Sequence, residues 1–213
     1  MYFEYGEKET DYLKSRDKKL GEAIDRIGHI YRKADPDLFS SVIHHIIGQQ
    51  ISTAAQETIW KRLTHKVGIV NADTLLSMSR EDLQSIGTTF KKVDYMRDFA
   101  EKVKTGTFDM DALKSMTDEE VIRQLSSLKG LGQWTAEMIM TFSMQRPDIV
   151  RCGDLAIHRG MRMLYRHRKI DAVTFRRYRK RYSPYGSVAS LYLWALAGGA
   201  IPGLTDPAPK RKS

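Results

Sequence analysis

Cysteine is almost missing from this chain: one residue, Cys152, in 213. That excludes an internal disulfide framework and any zinc or iron–sulfur centre built on four thiolates. Long apolar runs are missing too, with nothing near the roughly 20 residues that cross a bilayer, so no membrane association is expected. No stretch sustains the apolar–polar alternation of a half-buried strand. The opening residues, MYFEYGEKETDYLK, lack the basic patch and apolar stretch of a secretory leader, and the expected compartment is the cytoplasm. His44 and His45 are neighbours that cannot share a helix face, and no metal-ligand spacing is present. Acid is the scarcer charge, 26 aspartates and glutamates against 35 lysines and arginines, for a net +9. The final GLTDPAPKRKS carries only a small part of that excess. A basic domain of this kind implies a polyanionic partner, of which nucleic acid is the commonest.

What is present is helical periodicity. Leu38, Val42, Ile43, Ile46 and Ile47 form one apolar stripe, and Ile51, Ala55, Ile59 and Leu63 a second, with Gly48 between them in GQQIS. Ser79 with Asp82 reads as a capping pair for a short helix that stops at Gly87. Val93, Met96, Phe99 and Val103 form the next stripe, and Thr117 with Glu120 a capping box that leads into Val121, Ile122, Leu125 and Leu128. Helices are expected over about 133–143, after Asp154, over about 174–181 and from near Pro184. The fold class is all-α. The closing residues, 206–213, are expected to be a disordered basic tail.

Residues 128–136, LKGLGQWTA, place two glycines one residue apart between two helical patterns. Glycine tolerates positive φ and lets an anion approach the backbone, and the first N–H groups of the following helix have no partner inside it. Gly130 and Gly132, with a hydroxyl from Thr135, are candidate phosphate ligands. A plain turn between two helices accounts for the same residues equally well. Asp154, in RCGDLAIHRG, immediately precedes a helix and suits an N-cap. A capping carboxylate is held rigidly and kept charged by the helix dipole, so a structural and a chemical role are compatible.

Together, LKGLGQWTAEMI and CGDLAIHRG resemble the helix-hairpin-helix plus Gly/Pro-Asp signature of the DNA glycosylase superfamily, most closely its 3-methyladenine DNA glycosylase II branch. GQQIS and SPYGSVASLYLW are similar to the same branch, and the resemblance runs over about residues 10–205. It implies two helical lobes with the active-site cleft between them. The central lobe would span about 52–145, and the second would combine N-terminal helices of about 10–48 with C-terminal helices of about 150–200. It also implies that Asp154 is the catalytic carboxylate, that Trp134, Trp194, Met138 and Leu155 line the base pocket, and that Gln50 is the wedge filling the hole left by an extruded base. Bifunctional relatives carry a lysine where this chain has Trp134, so no lyase chemistry is expected. The hairpin carbonyls of Ser126, Leu128 and Leu131 would hold a monovalent cation, Na or K, and no other cofactor is implied.

The expected activity is release of an alkylated purine, of the 3-methyladenine or 7-methylguanine type, from double-stranded DNA by a nucleoid-associated monomer. The competing expectation is a non-catalytic helix-hairpin-helix protein that grips distorted duplex. The cluster RRYRKR at 176–181, and Lys91 with Lys92, suit either phosphate tracking or a solvated helix face.

Overall fold

The computed structural model describes residues 1–208, and among them the regular structure is helical. Among the described residues the only β feature is an isolated antiparallel bridge between Tyr2 and Lys33. The helices fall into two compact units, one made of residues 1–34 with those from 145 onward, the other of residues 35–144.

The central unit holds α3 (Leu38–Gly48), α4 (Thr53–Val67), α5 (Ala72–Ser77), α6 (Arg80–Gln84), α7 (Phe90–Lys104), α8 (Asp118–Ser126) and α9 (Gln133–Phe142). Local chemistry starts these helices where the side chains predict. Ser79 accepts from the Asp82 N–H, and Thr117 with Glu120 closes a reciprocal capping box; such caps contribute about 1 kcal/mol each. The stripe of α3 is wholly buried at Val42, Ile43, Ile46 and Ile47, against α4, α7 and α9. Each of those side chains stabilises the fold by about 1.5–3 kcal/mol on burial. Phe39 of α3 stacks on Phe99 of α7 with ring centroids 5.0 Å apart.

This packing corrects the expected lobe boundary. Residues 38–48 were assigned to the N-terminal helices, but α3 is too apolar on its inner face to stand outside the central core, and the division falls between Ala34 and Asp35. Ile51 is corrected as well, since it lies outside α4 and is exposed.

The other unit holds α1 (Glu7–Arg16), α2 (Lys18–Ile27), α10 (Leu155–Tyr165), α11 (Ala172–Tyr182) and α12 (Gly186–Ala197). Its densest contact is α10 against α12. Gly160 makes it possible, because a Cβ at 160 would overlap the Leu193 carbonyl. Asp148 ties the start of α12 to α11, accepting from Arg179 Nη1 at 2.9 Å, Ser183 Oγ at 2.6 Å and Gly186 N at 3.0 Å. The chain remains anchored as far as Asp206, which accepts from Arg162 Nε at 2.9 Å. A tail disordered from 206 is therefore corrected at that residue, and its remainder, residues 209–213, lies outside the described residues.

Candidate active site

Asp154 caps α10. One carboxylate oxygen, Oδ1, accepts from the backbone N–H of Ala156 at 2.8 Å and of Ile157 at 2.9 Å. The other, Oδ2, accepts from the indole Nε1 of Trp194 at 3.3 Å. Capping and presentation are thus divided between the two oxygens. Trp194 reaches Asp154 because Gly160 lets α12 lie directly on α10.

Beside this pair is an open cleft of about 430 Å³ lined by Leu155, Ala156, Arg159, Trp194, Ala197 and Gly198. Leu155, in the first turn of α10, is 86% exposed, an unusual position for a leucine.

The hairpin lies in the central unit, between α8 and α9. Gly130 has φ +84°, and a Cβ there would overlap the Tyr95 ring, so both backbone and space demand glycine. Gly132 differs from expectation. Its φ of −104° is open to any residue, and a Cβ would meet nothing within 4 Å. It caps α9 without a side-chain hydrogen bond, leaving the first-turn N–H groups to an outside acceptor. Thr135 is buried, which corrects its assignment as a surface hydroxyl donor: what α9 offers an anion is backbone N–H. Ser126 Oγ is buried without a hydrogen-bond partner, an orphaned oxygen that suits a cation held by the neighbouring carbonyls.

Gln50 has φ +57° and is exposed. A left-handed glutamine costs about 1 kcal/mol and persists only where its surroundings impose it. Here they do. Lys92 Nζ donates to the carbonyls of Ile47 at 2.8 Å and Gln49 at 2.7 Å, capping the C-terminus of α3. The Gln49 side-chain amide donates to the Gly130 carbonyl, joining this loop to the hairpin. Lys92 is therefore committed to the loop and does not track phosphate, and burial pulls its pKa down. Lys91 lies over the Tyr95 ring, 5.8 Å from its centroid.

Trp134, in the first turn of α9, is 48% exposed and meets His45 of α3 edge-on, with ring centroids 6.5 Å apart. Burial holds the His45 imidazole down to about 4, so it is neutral near pH 7. Met138, one turn beyond Trp134, is buried. Within RRYRKR the structure commits two cations internally, Arg179 to Asp148 and Arg181 to Asp17.

Asp148, Arg159, His45 and the Lys92 clamp were not singled out as site residues from the sequence. Only Lys92, a cation shortly after Gly87, carried any signal, and it pointed elsewhere.

Residues 43–184 match the family described as HhH-GPD superfamily base excision DNA repair protein. A putative DNA-3-methyladenine glycosylase of Bacillus subtilis is 25% identical over 172 residues, covering 75% of this chain and 59% of that protein; the chain thus spans about three fifths of that relative. The crystal structure of a DNA-3-methyladenine glycosidase from Bacillus halodurans superposes with a TM-score of 0.82 at 34% identity, covering 93% of both chains. A Schizosaccharomyces pombe 3-methyladenine DNA glycosylase in complex with abasic DNA shares the fold, with a TM-score of 0.74 at 23% identity over 92% of this chain and 98% of that one.

Proposed function

The chain belongs to the HhH-GPD superfamily of base excision DNA repair proteins, and on that premise we propose that it is a monofunctional DNA glycosylase that removes alkylated purines. The observation that carries this reading is Asp154, whose carboxylate is fixed by two backbone N–H groups and the Trp194 indole at the edge of an open cleft. Capping α10 uses Oδ1 alone; a protein that only binds DNA has no use for the second oxygen held by an indole beside a cleft, since a carboxylate repels phosphate.

Cleaving an N-glycosidic bond moves the bonding electrons onto the base and leaves positive charge on the sugar. The Asp154 carboxylate stabilises that charge and orients the water that attacks C1′, accepting one proton from that water as the new C–O bond forms. Alkylation at a ring nitrogen makes the purine cationic, so it departs as a neutral base and needs no strong general acid. The Trp194 indole selects such a base through cation–π attraction, with Leu155 as apolar lining. Gln50 fills the hole left in the stack. The backbone N–H groups around Gly130 and Gly132 hold a phosphate; the carbonyls of Ser126, Leu128 and Leu131 would hold a Na or K ion, which would supply positive charge at the hairpin. With Trp134 in place of a lysine, strand cleavage does not follow base release. The enzyme works as a monomer on chromosomal DNA in the cytoplasm.

The test is base release from a panel of lesion-containing duplexes, with Asp154→Asn as control. Release of 3-methyladenine or 7-methylguanine by the wild type and not by the variant supports the proposal. Binding to these duplexes with no release from any of them supports a non-catalytic DNA-binding protein instead.

A further inference from the structure

A charged side chain, that of Arg159, lines the cleft beside the Asp154–Trp194 pair. Arg159 lies one turn beyond Leu155 on the same face of α10, about 7.5 Å along the axis from Asp154. The other lining residues are Leu155, Ala156, Trp194, Ala197 and Gly198, so among the described residues Arg159 is the one cation of an otherwise largely apolar wall. Asp206 pairs with it only loosely. Both Asp206 oxygens accept from Arg162, through its Nε and one terminal nitrogen, whereas Arg159 Nε stands 4.0 Å away, with its side chain 55% exposed. α10 thus carries two arginines near one carboxylate: Arg162 anchors the C-terminal segment, and Arg159 is left facing the cleft.

We infer that Arg159 binds a phosphodiester of the extruded nucleotide, the one whose sugar lies against Asp154. This deepens the glycosylase reading and rests on it. The chemistry of the cleft selects the phosphate over the base. A guanidinium beside a cationic purine would repel it, whereas a phosphate carries full negative charge and accepts from the planar N–H fork in a bidentate manner. Carboxylate and guanidinium then divide one nucleotide between them, Asp154 at the developing cation and Arg159 at the anion next to it. Arg159 is therefore a substrate-binding residue, and it sets the register of the sugar against Asp154.

The experiment measures affinity for a duplex carrying a tetrahydrofuran abasic-site analogue, and for the undamaged duplex, over a series of salt concentrations. The proteins are the wild type, Arg159→Gln and Arg159→Lys. Arg159→Gln should bind the abasic-site duplex about tenfold more weakly. The slope of log K against log salt should fall by about 0.9, the value for one lost phosphate contact. Arg159→Lys should keep the slope, because it keeps the charge, and the slope on undamaged duplex should be unchanged in both variants. An unchanged slope for Arg159→Gln on the abasic-site duplex overturns the inference. So does an equal loss on undamaged duplex, which would make Arg159 a general backbone contact. Base release by the wild type is assayed separately. If it is nil, the glycosylase reading fails, whatever the slopes show.

Discussion

Gly160 of α10 lies so close to the Leu193 carbonyl of α12 that no side chain fits between them. The residue after Leu193 is Trp194, whose indole reaches Asp154. The close approach of Gly160 to the Leu193 backbone thus sets the Trp194 indole against Asp154, the proposed catalytic carboxylate. Gly160→Ala should push the helices apart and cost about 1–3 kcal/mol, the usual penalty of overpacking. Base release should fall by more than the loss of folded protein explains, which single-turnover rates normalised to the folded fraction would show. A variant that keeps the wild-type rate per folded molecule would separate Trp194 from catalysis.

Asp154→Asn should leave the fold intact, since asparagine caps a helix about as well as aspartate. The charge alone is lost. Base release should drop by at least about 10²-fold, the scale on which a lost electrostatic stabiliser of a transition state acts, while affinity for lesion duplex persists or rises. Quantifying free base by chromatography beside a binding assay checks both halves. Wild-type release by the variant would remove the carboxylate from the mechanism.

The two hairpin glycines should behave differently. Gly130→Ala meets both a φ of +84° and the Tyr95 ring, and should cost about 1–3 kcal/mol. Gly132→Ala has neither conflict and should melt within about 0.5 kcal/mol of wild type, yet bind DNA more weakly because a methyl group stands where phosphate approaches. Thermal melts set against affinities for undamaged duplex test the contrast, and equal melting losses for both variants would contradict it.

Gln50→Gly separates fold from function in the opposite direction. Relief of the left-handed conformation offsets the entropy lost with glycine, so the melting temperature should stay level or rise. Base release from duplex should fall roughly tenfold, because nothing then fills the vacated stack. An unimpaired rate would show that Gln50 is not the wedge.

His45 makes folding pH-dependent. Its folded pKa of about 4 lies below the ordinary value of 6.5, so the unfolded chain takes up the proton first as pH falls. The stability this residue contributes is complete above about pH 6.5 and is lost between there and pH 4, about 3 kcal/mol in all. His45→Phe should flatten this part of the pH dependence. Urea midpoints at pH 7 and near pH 4 would show the wild type losing more stability than the variant, and equal losses would refute the assignment.

Local information carried much of this protein. Helical periodicity over three or four residues, the caps at Ser79 and Thr117, the double glycine of LKGLG and the aspartate before α10 are all written within a turn or two of chain; they sufficed for the all-α class, whereas Asp154 as the candidate carboxylate follows from the family resemblance that those motifs carry. The sequence could not say that Lys92 would clamp carbonyls 43 and 45 positions away. Nor could it say that α3 would join the central core, that Gly132 would be extended or that Thr135 would be buried. Which of two nearby arginines Asp206 would take, leaving Arg159 at the cleft, was equally out of reach. These outcomes depend on packing between segments distant in sequence, where side chains compete for the same partners and the backbone accepts strain, as at Gln50, when enough neighbours hold it there.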